Sequence, residues 1–146
     1  MYYVNRKQIE TILAQIPDIT TGLRTVAASW DGKTLTGLIQ ERCLHLAIEV
    51  VTDVGSYLID GFIMRDAGSY EDIITIIHDE KVLGASGIYE KLIELVALRK
   101  PLVQDYFDWN RSALHPLTPV LPEVLEQFAA EVHHYLDQEL GTSVTV

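Results

Sequence analysis

Residues 34–63 read TLTGLIQERCLHLAIEVVTDVGSYLIDGFI and carry the longest helical pattern in the chain. Apolar residues recur every three or four positions and form a wide face, which predicts contacts with two or more neighbouring helices. We therefore expect this helix to lie at the centre of an α-helical bundle. The apolar face consists of Leu35, Leu38, Ile39, Leu46, Ala47, Val50, Val51, Val54 and Leu58.

The segment before this helix, residues 5–30, keeps a heptad-like spacing of apolar residues, which is typical of antiparallel bundles. Asn5 followed by Gln8 is a capping signal at its start. Pro17 lies inside the pattern and is expected to kink the helix, because proline cannot donate the backbone hydrogen bond.

Three further helical segments follow the central helix. A short one over about 70–82 places Tyr70 inward, and a longer one begins at Ser86 and runs to about residue 106. The last helix begins at a pair of prolines near residue 120. The tail, residues 142–146, is expected to be loose.

These segments predict a single domain over residues 1–146 with an all-α fold. The architecture is an up-and-down four-helix bundle with an extra short helix. With 48% hydrophobic residues the chain can build a core, and no strand pattern, repeat or linker interrupts it. Small bundles with wide apolar faces often dimerise, so a homodimer is expected.

Composition limits the partners and the compartment. The formal net charge of -10 disfavours non-specific nucleic-acid binding, so any RNA role needs a local basic patch. No apolar run approaches the ~18 residues of a membrane span, no signal-peptide core is present, and Cys43 has no partner for a disulfide. These features predict a cytoplasmic protein that does not contact a membrane. The candidates for a basic patch are Arg42, Arg65, Lys91, Arg99, Lys100 and Arg111.

Arg99 interrupts an apolar seam in the helix that begins near residue 86. The other members of the seam are Ile88, Leu92, Leu95, Leu102 and Tyr106. Since arginine keeps its charge, a buried Arg99 needs a carboxylate, a phosphate or water. Pro101 should kink the helix and turn Arg99 relative to Gln104 and Tyr106.

A polar stripe on the central helix offers possible partners for this arginine. It consists of Arg42, His45, Glu49, Asp53, Ser56 and Asp60. One interpretation is a solvated face. The other is that Glu49 and Asp53 pair with Arg99, because a central helix leaves little surface to solvent.

Motifs for other chemistries are absent or incomplete. The chain has no Gly-rich phosphate loop and no Ser or Cys nucleophile motif. A helical metal site needs paired Glu-x-x-His motifs on facing helices. The chain instead has Glu41, His45 and Glu49 on one helix and His133, His134 and Asp137 on another, without that motif. We therefore expect neither a metal nor a cofactor.

Three blocks of the sequence, residues 41–54, 60–73 and 99–106, resemble the HepT-like family of the HEPN superfamily. Members are small, dimeric, all-helical proteins of bacteria and archaea. The resemblance implies a metal-independent endoribonuclease that acts as the toxin of a toxin–antitoxin pair. The partner would be a nucleotidyltransferase antitoxin, which silences the toxin by attaching AMP to a tyrosine.

The family motif maps onto this chain with two replacements. The motif is an arginine, often followed by asparagine, with a histidine five residues after the arginine and a tyrosine two further on. Arg99 and Tyr106 match it, which makes Tyr106 the implied modification target. Lys100 stands at the asparagine position and Gln104 at the histidine position.

The replacement at position 104 changes the chemistry that the site can perform. Cleavage of RNA without a metal needs a proton acceptor for the 2′-hydroxyl and a cation for the developing charge on phosphate. Arg99 can supply the cation, but Gln104 cannot exchange a proton at neutral pH. Loss of a general base removes about two to four powers of ten in rate. His45 is a possible substitute base if the fold brings it near Arg99.

Three hypotheses follow from the sequence. The first is a toxin-type ribonuclease with a degenerate motif. The second is a catalytically lapsed dimeric protein that binds RNA, a nucleotide or a partner protein. The third is an interaction protein in which Arg99 forms a buried ion pair with Glu49 or Asp53.

Overall fold

The computed structural model describes residues 2–141, and this part of the chain contains six α-helices and no β-strand, which confirms the all-α class. The predicted loose tail, residues 142–146, lies outside the described residues. A π-helix and a 3-10 helix lie between α5 and α6. The elements are α1 (Arg6–Leu13), α2 (Ile16–Ala28), α3 (Thr34–Gly61), α4 (Tyr70–Asp79), α5 (Tyr89–Ala97), the π-helix (Lys100–Gln104), the 3-10 helix (Tyr106–Asp108) and α6 (Leu121–Leu140).

Helix α3 is the central element of an up-and-down bundle, as the sequence predicts. It packs against α1, α2, α4, α5 and the π-helix, while α6 packs against α2 and α5. Its innermost side chains are fully enclosed: Leu44, Ala47, Val51, Val54 and Leu58 are each 0% exposed. None of the helices in residues 2–141 combines the length and the apolar character needed to cross a membrane.

The N-terminal segment forms two helices instead of one kinked helix. The chain leaves the α-helical pattern at Ala14 and Gln15, and Pro17 lies in the first turn of α2. The first turn is where proline costs least, because its missing N–H would have no partner there. The predicted cap is confirmed, since the Asn5 side chain accepts a hydrogen bond from the Gln8 backbone N–H at 3.2 Å.

The inward face at the start of α3 differs from the prediction. Leu35, Leu38 and Ile39 are 72%, 44% and 42% exposed, although the apolar pattern placed them in the core. Gly37 and the Gln40 side chain are buried in their place. A side chain at position 37 would clash with the Arg111 backbone, because a Cβ atom there would lie 2.3 Å from its carbonyl oxygen.

Gln40 anchors the loop that connects the 3-10 helix to α6. It is 0% exposed. Its amide nitrogen donates to the Ala113 carbonyl at 3.1 Å, and its oxygen accepts from the His115 N–H at 2.8 Å and the Thr118 hydroxyl at 2.7 Å. Because both the nitrogen and the oxygen of this buried amide have hydrogen-bond partners, Gln40 holds the loop against α3.

Pro101 converts the end of the α5 segment into a π-helix. Proline has no N–H to donate, so the α-helical ladder cannot continue through position 101. The Leu102 N–H donates to the Leu98 carbonyl at 2.9 Å, and the Asp105 N–H then donates five residues back, to Lys100, at 3.0 Å. The helical phase shifts at this point, so Tyr106 leaves the predicted core seam and is 60% exposed.

Candidate functional site

Arg99 lies between α5 and the π-helix and has no carboxylate partner within residues 2–141. Its guanidinium carbon lies 4.2 Å from the centroid of the Tyr70 ring. Its Nε is buried and has no hydrogen-bond partner, whereas its two terminal nitrogens are neither buried nor hydrogen-bonded within residues 2–141. The ion pairs expected with Glu49 and Asp53 do not form. The guanidinium therefore offers its terminal nitrogens to an external acceptor.

Tyr70 supports Arg99 from the start of α4. Ser69 caps this helix, because its hydroxyl accepts the Asp72 N–H at 3.0 Å. Tyr70 is the first residue after the cap and is 42% exposed, so the prediction that it points inward is wrong. A cation over an aromatic ring gains about 0.5–1 kcal/mol at an exposed site. The ring therefore holds the guanidinium in place without neutralising its charge.

The π-helix brings Arg99 and Gln104 to the same side of the chain. Residues five apart in an α-helix leave the backbone about 140° apart. In a π-helix the hydrogen bond closes over five residues, so residues 99 and 104 are one turn apart. Lys100 and Gln104 are both exposed, so both side chains can reach a ligand next to Arg99.

Tyr106 and Phe107 form an exposed aromatic pair directly after the π-helix. Their ring centroids lie 5.7 Å apart in an edge-to-face arrangement. They are 60% and 73% exposed, which is unusual for aromatic side chains in a small bundle. The Tyr106 ring is therefore accessible to a partner or a modifying enzyme.

The predicted supporting residues on α3 form a second group. His45 Nε2 lies 3.4 Å from Glu49 Oε1. Glu49 and Asp53 line a groove of 480 Å³ between α3 and the α1–α2 segment. Burial, and then the nearby Glu49 carboxylate, raise the pKa of Asp53. No hydrogen bond or ion pair in the described residues joins this group to Arg99.

Half of the six candidates for a basic patch are neutralised by carboxylates. The pairs are Arg65 with Asp72, Lys91 with Glu94, and Arg111 with Glu41. Arg42, Arg99 and Lys100 have no such partner in residues 2–141. Two of these three cations, Arg99 and Lys100, are adjacent in the chain after α5, and two neighbouring unpaired cations attract an anion.

Several of the side chains with metal-ligand spacing contact other residues or each other. Glu41 pairs with Arg111, His45 contacts Glu49, and Asp137 pairs with Arg6. Among residues 2–141, no group of three His, Cys, Asp or Glu side chains could hold a metal ion.

An open cavity of 540 Å³ lies beside Tyr70 and was not predicted from the sequence. Ser56 and Asp60, placed on the polar stripe from their spacing, form one wall, and the connection between α3 and α4 forms the other. No local pattern predicts this cavity, because its walls come from two helices and a loop. Its lining residues are Ser56, Ile59, Asp60, Asp66, Ala67, Gly68, Ser69, Tyr70 and Ile73.

The chain is similar to known proteins over nearly its whole length. The family profile described as ribonuclease HepT-like matches residues 9–132. The chain is 38% identical over 141 residues to the Bacillus subtilis (strain 168) protein named "Putative RNase YutE", a match that covers 97% of this chain and 96% of that protein. A solved structure of YutE from Bacillus subtilis, described as a cytosolic protein of unknown function, matches with a TM-score of 0.85, 36% identity and 99% coverage of each chain. These similarities confirm the resemblance drawn from the sequence, and the chain belongs to the ribonuclease HepT-like family.

Proposed function

We propose that this protein is an endoribonuclease of the HepT toxin type, with Arg99 as the residue that binds the RNA phosphate. The observation that carries the proposal is the Arg99 guanidinium, which is stacked on Tyr70 at 4.2 Å and has no carboxylate partner in the described chain. No acid in residues 2–141 neutralises Arg99, so its charge stays available to a ligand. An arginine held on an aromatic ring with open terminal nitrogens suits bidentate contact with phosphate oxygens.

The π-helix gives each motif residue a role in this proposal. Arg99 stabilises the charge that develops on the phosphate during attack by the 2′-hydroxyl. Gln104, one π-turn away, donates a hydrogen bond that orients the phosphate, and Lys100 adds positive charge. The reaction needs no metal ion in this scheme.

Tyr106 is the proposed target of regulation. Its ring is 60% exposed and follows the phosphate site directly in the chain, so a transferred AMP group would obstruct the access of RNA. We propose a nucleotidyltransferase antitoxin as the enzyme that attaches AMP. Mass spectrometry after coexpression with such a transferase should detect an added AMP on the wild type and none on Tyr106→Phe.

Gln104 favours a second candidate function. Without a histidine at this position the motif lacks its usual proton acceptor, and His45 makes its contact with Glu49 on α3 instead. The alternative is a catalytically lapsed protein of the same fold that binds RNA, a nucleotide or a partner protein through Arg99.

We also propose that the protein is a cytoplasmic homodimer. Leu35, Leu38 and Ile39 expose 72%, 44% and 42% of their surface on one side of α3. Adjacent exposed aliphatic side chains on a small domain favour association with a second copy. A two-fold dimer would place two copies of the Arg99 site around a shared RNA cleft.

The test is an RNA cleavage assay that compares the wild type with Gln104→His and Arg99→Ala. The matched control is Arg24→Ala, because Arg24 is an exposed arginine paired with Glu126. Cleavage by the wild type that is lost only in Arg99→Ala would support the ribonuclease. Cleavage restored only by Gln104→His would support the lapsed alternative. If no variant cleaves RNA and Arg99→Ala binds RNA as well as the wild type, both proposals are wrong.

A further inference from the structure

We propose that the cavity beside Tyr70 is a nucleobase subsite that receives a guanine of the RNA. This inference rests on the proposed function, because the base would belong to the nucleotide whose phosphate Arg99 binds. It names a substrate preference that the phosphate contact alone does not provide.

Tyr70 connects the phosphate site to the cavity. Arg99 lies over the Tyr70 ring, and Tyr70 also lines the cavity, whereas Arg99 does not. Tyr70 is therefore the residue that the phosphate site and the cavity share. Single-stranded RNA is recognised by stacking of unpaired bases on aromatic side chains beside cations that hold the backbone. The arrangement of Arg99 and Tyr70 meets both requirements within one contact.

The polar groups of the cavity select for hydrogen-bond donors. Asp60 and Asp66 line it and form no ion pair or hydrogen bond within residues 2–141. In contrast, the nearby Asp72 accepts two hydrogen bonds from Arg65, at 2.9 and 2.8 Å. Two free carboxylates repel a phosphate, so they favour an occupant that presents N–H groups over a second phosphate.

Guanine presents the most suitable edge of the four bases. Its Watson–Crick edge carries two neighbouring donors, N1–H and the N2 amino group, which can both bind one carboxylate. Adenine and cytosine carry one amino group beside an acceptor nitrogen, and uracil carries one N–H between two carbonyls. A carboxylate pairs fully only with the guanine edge.

The cavity is already formed without a ligand. The Gly68 N–H donates to Asp72 at 2.9 Å, and together with the Arg65 contacts this fixes the connection between α3 and α4. Ile59 and Ile73, which are 5% and 9% exposed, form an apolar floor. The cavity of 540 Å³ is open to solvent and combines this apolar floor with polar side chains around it, so a planar base could lie on the floor with its polar edge towards those side chains.

The experiment is a nuclear magnetic resonance titration of the full chain with the four nucleoside 5′-monophosphates. We expect GMP to bind about tenfold more tightly than either AMP or UMP, the discrimination typical of one good bidentate contact. The amides that shift should lie in residues 56–73. The double variant Asp60→Asn and Asp66→Asn should bring the affinities for GMP and UMP within about twofold. The control is Asp18→Asn, because Asp18 lines the separate groove between α2 and α3.

Two results would overturn the inference while leaving the proposed function in place. One is equal affinity for GMP and UMP in the wild type, together with an RNA affinity that still depends on Arg99. The other is a set of shifted amides away from residues 56–73. If Arg99→Ala leaves RNA affinity unchanged, the proposed function itself is wrong, and the subsite is wrong with it.

Discussion

Replacing Arg99 with methionine separates a ligand-binding arginine from a structural one. Methionine keeps much of the apolar stem and removes the charge. The structure shows one stabilising contact that would be lost, the stacking on Tyr70, which contributes about 0.5–1 kcal/mol. Removing the buried Nε, which has no hydrogen-bond partner, offsets part of that loss. We therefore expect the free energy of unfolding to change by less than about 1 kcal/mol.

The contrasting expectation follows from a buried ion pair. If Glu49 or Asp53 depended on Arg99, removal of the arginine would leave a buried carboxylate unpaired and would cost about 3–5 kcal/mol. Urea denaturation of the wild type and Arg99→Met, with the same slope in both, measures this difference. A loss of about 3 kcal/mol or more would refute the assignment of Arg99 as an unpaired arginine.

The same variant should lose one phosphate contact with RNA. Each phosphate neutralised on a single strand contributes about 0.7 to the slope of log affinity against log salt concentration. Arg99→Met should therefore bind a single-stranded RNA more weakly and reduce that slope by about 0.7. Arg24→Met, at an exposed ion pair with Glu126, is the matched control for both measurements. An unchanged slope in Arg99→Met would contradict a phosphate contact at this residue.

Three other perturbations test parts of the structure that support or surround the site. Gln40→Ala removes the three hydrogen bonds that hold the loop before α6 and should lower the free energy of unfolding by about 2–4 kcal/mol, measured in urea. Burial lowers the pKa of His115 below 6.5, so the folded protein binds this proton less readily than the unfolded chain. The contribution of His115 to the free energy of unfolding should be fully present above about pH 6.5 and should decrease as the pH falls towards the folded pKa. In His115→Asn the free energy of unfolding should depend less on pH over this range. Leu38→Arg should shift the protein from dimer to monomer in analytical ultracentrifugation, because it places a charge among exposed aliphatic side chains.

Each of these outcomes has a counterpart that would contradict it. A loss below about 1 kcal/mol in Gln40→Ala would mean that water replaces the loop contacts. An identical pH dependence in His115→Asn and the wild type would assign the acid sensitivity to other groups. Thr25→Arg, on the exposed surface of α2, is the control for Leu38→Arg. A dimer that survives Leu38→Arg would place the interface elsewhere.

The sequence predicted the central helix and the start of α1 correctly because both depend on local rules. Apolar spacing selects the inner face of α3 from Leu44 to Leu58, and the cap at Asn5 forms within three residues. The same spacing failed at the start of α3, because hydrophobicity favours Leu38 over Gln40 for burial. Gln40 lies four residues before Leu44 and therefore on the same buried face of the helix. Its burial could not be predicted from this spacing alone, because the loop that its amide binds was not known.

The candidate site was predicted only in part because its decisive contact is not local. The motif identified Arg99, Gln104 and Tyr106, and Pro101 indicated a disturbed helix. The form of that disturbance, a π-helix, depends on how the following residues pack, and it determines which side chains lie together. The contact between Arg99 and Tyr70 joins two helices that no periodicity relates, so the sequence suggested acidic partners on α3 instead.

The Nε–H of Arg99 can be followed by nuclear magnetic resonance in solution, because this nitrogen is buried. A proton on a nitrogen that is hidden from water exchanges slowly, whereas exposed arginine side chains lose their signals to exchange. The guanidinium also lies over the face of Tyr70, where the ring current moves nearby resonances upfield. Arg99 should therefore give a persistent Nε–H resonance with an upfield chemical shift. A ligand that binds the guanidinium should change this chemical shift, so binding can be followed without an added label.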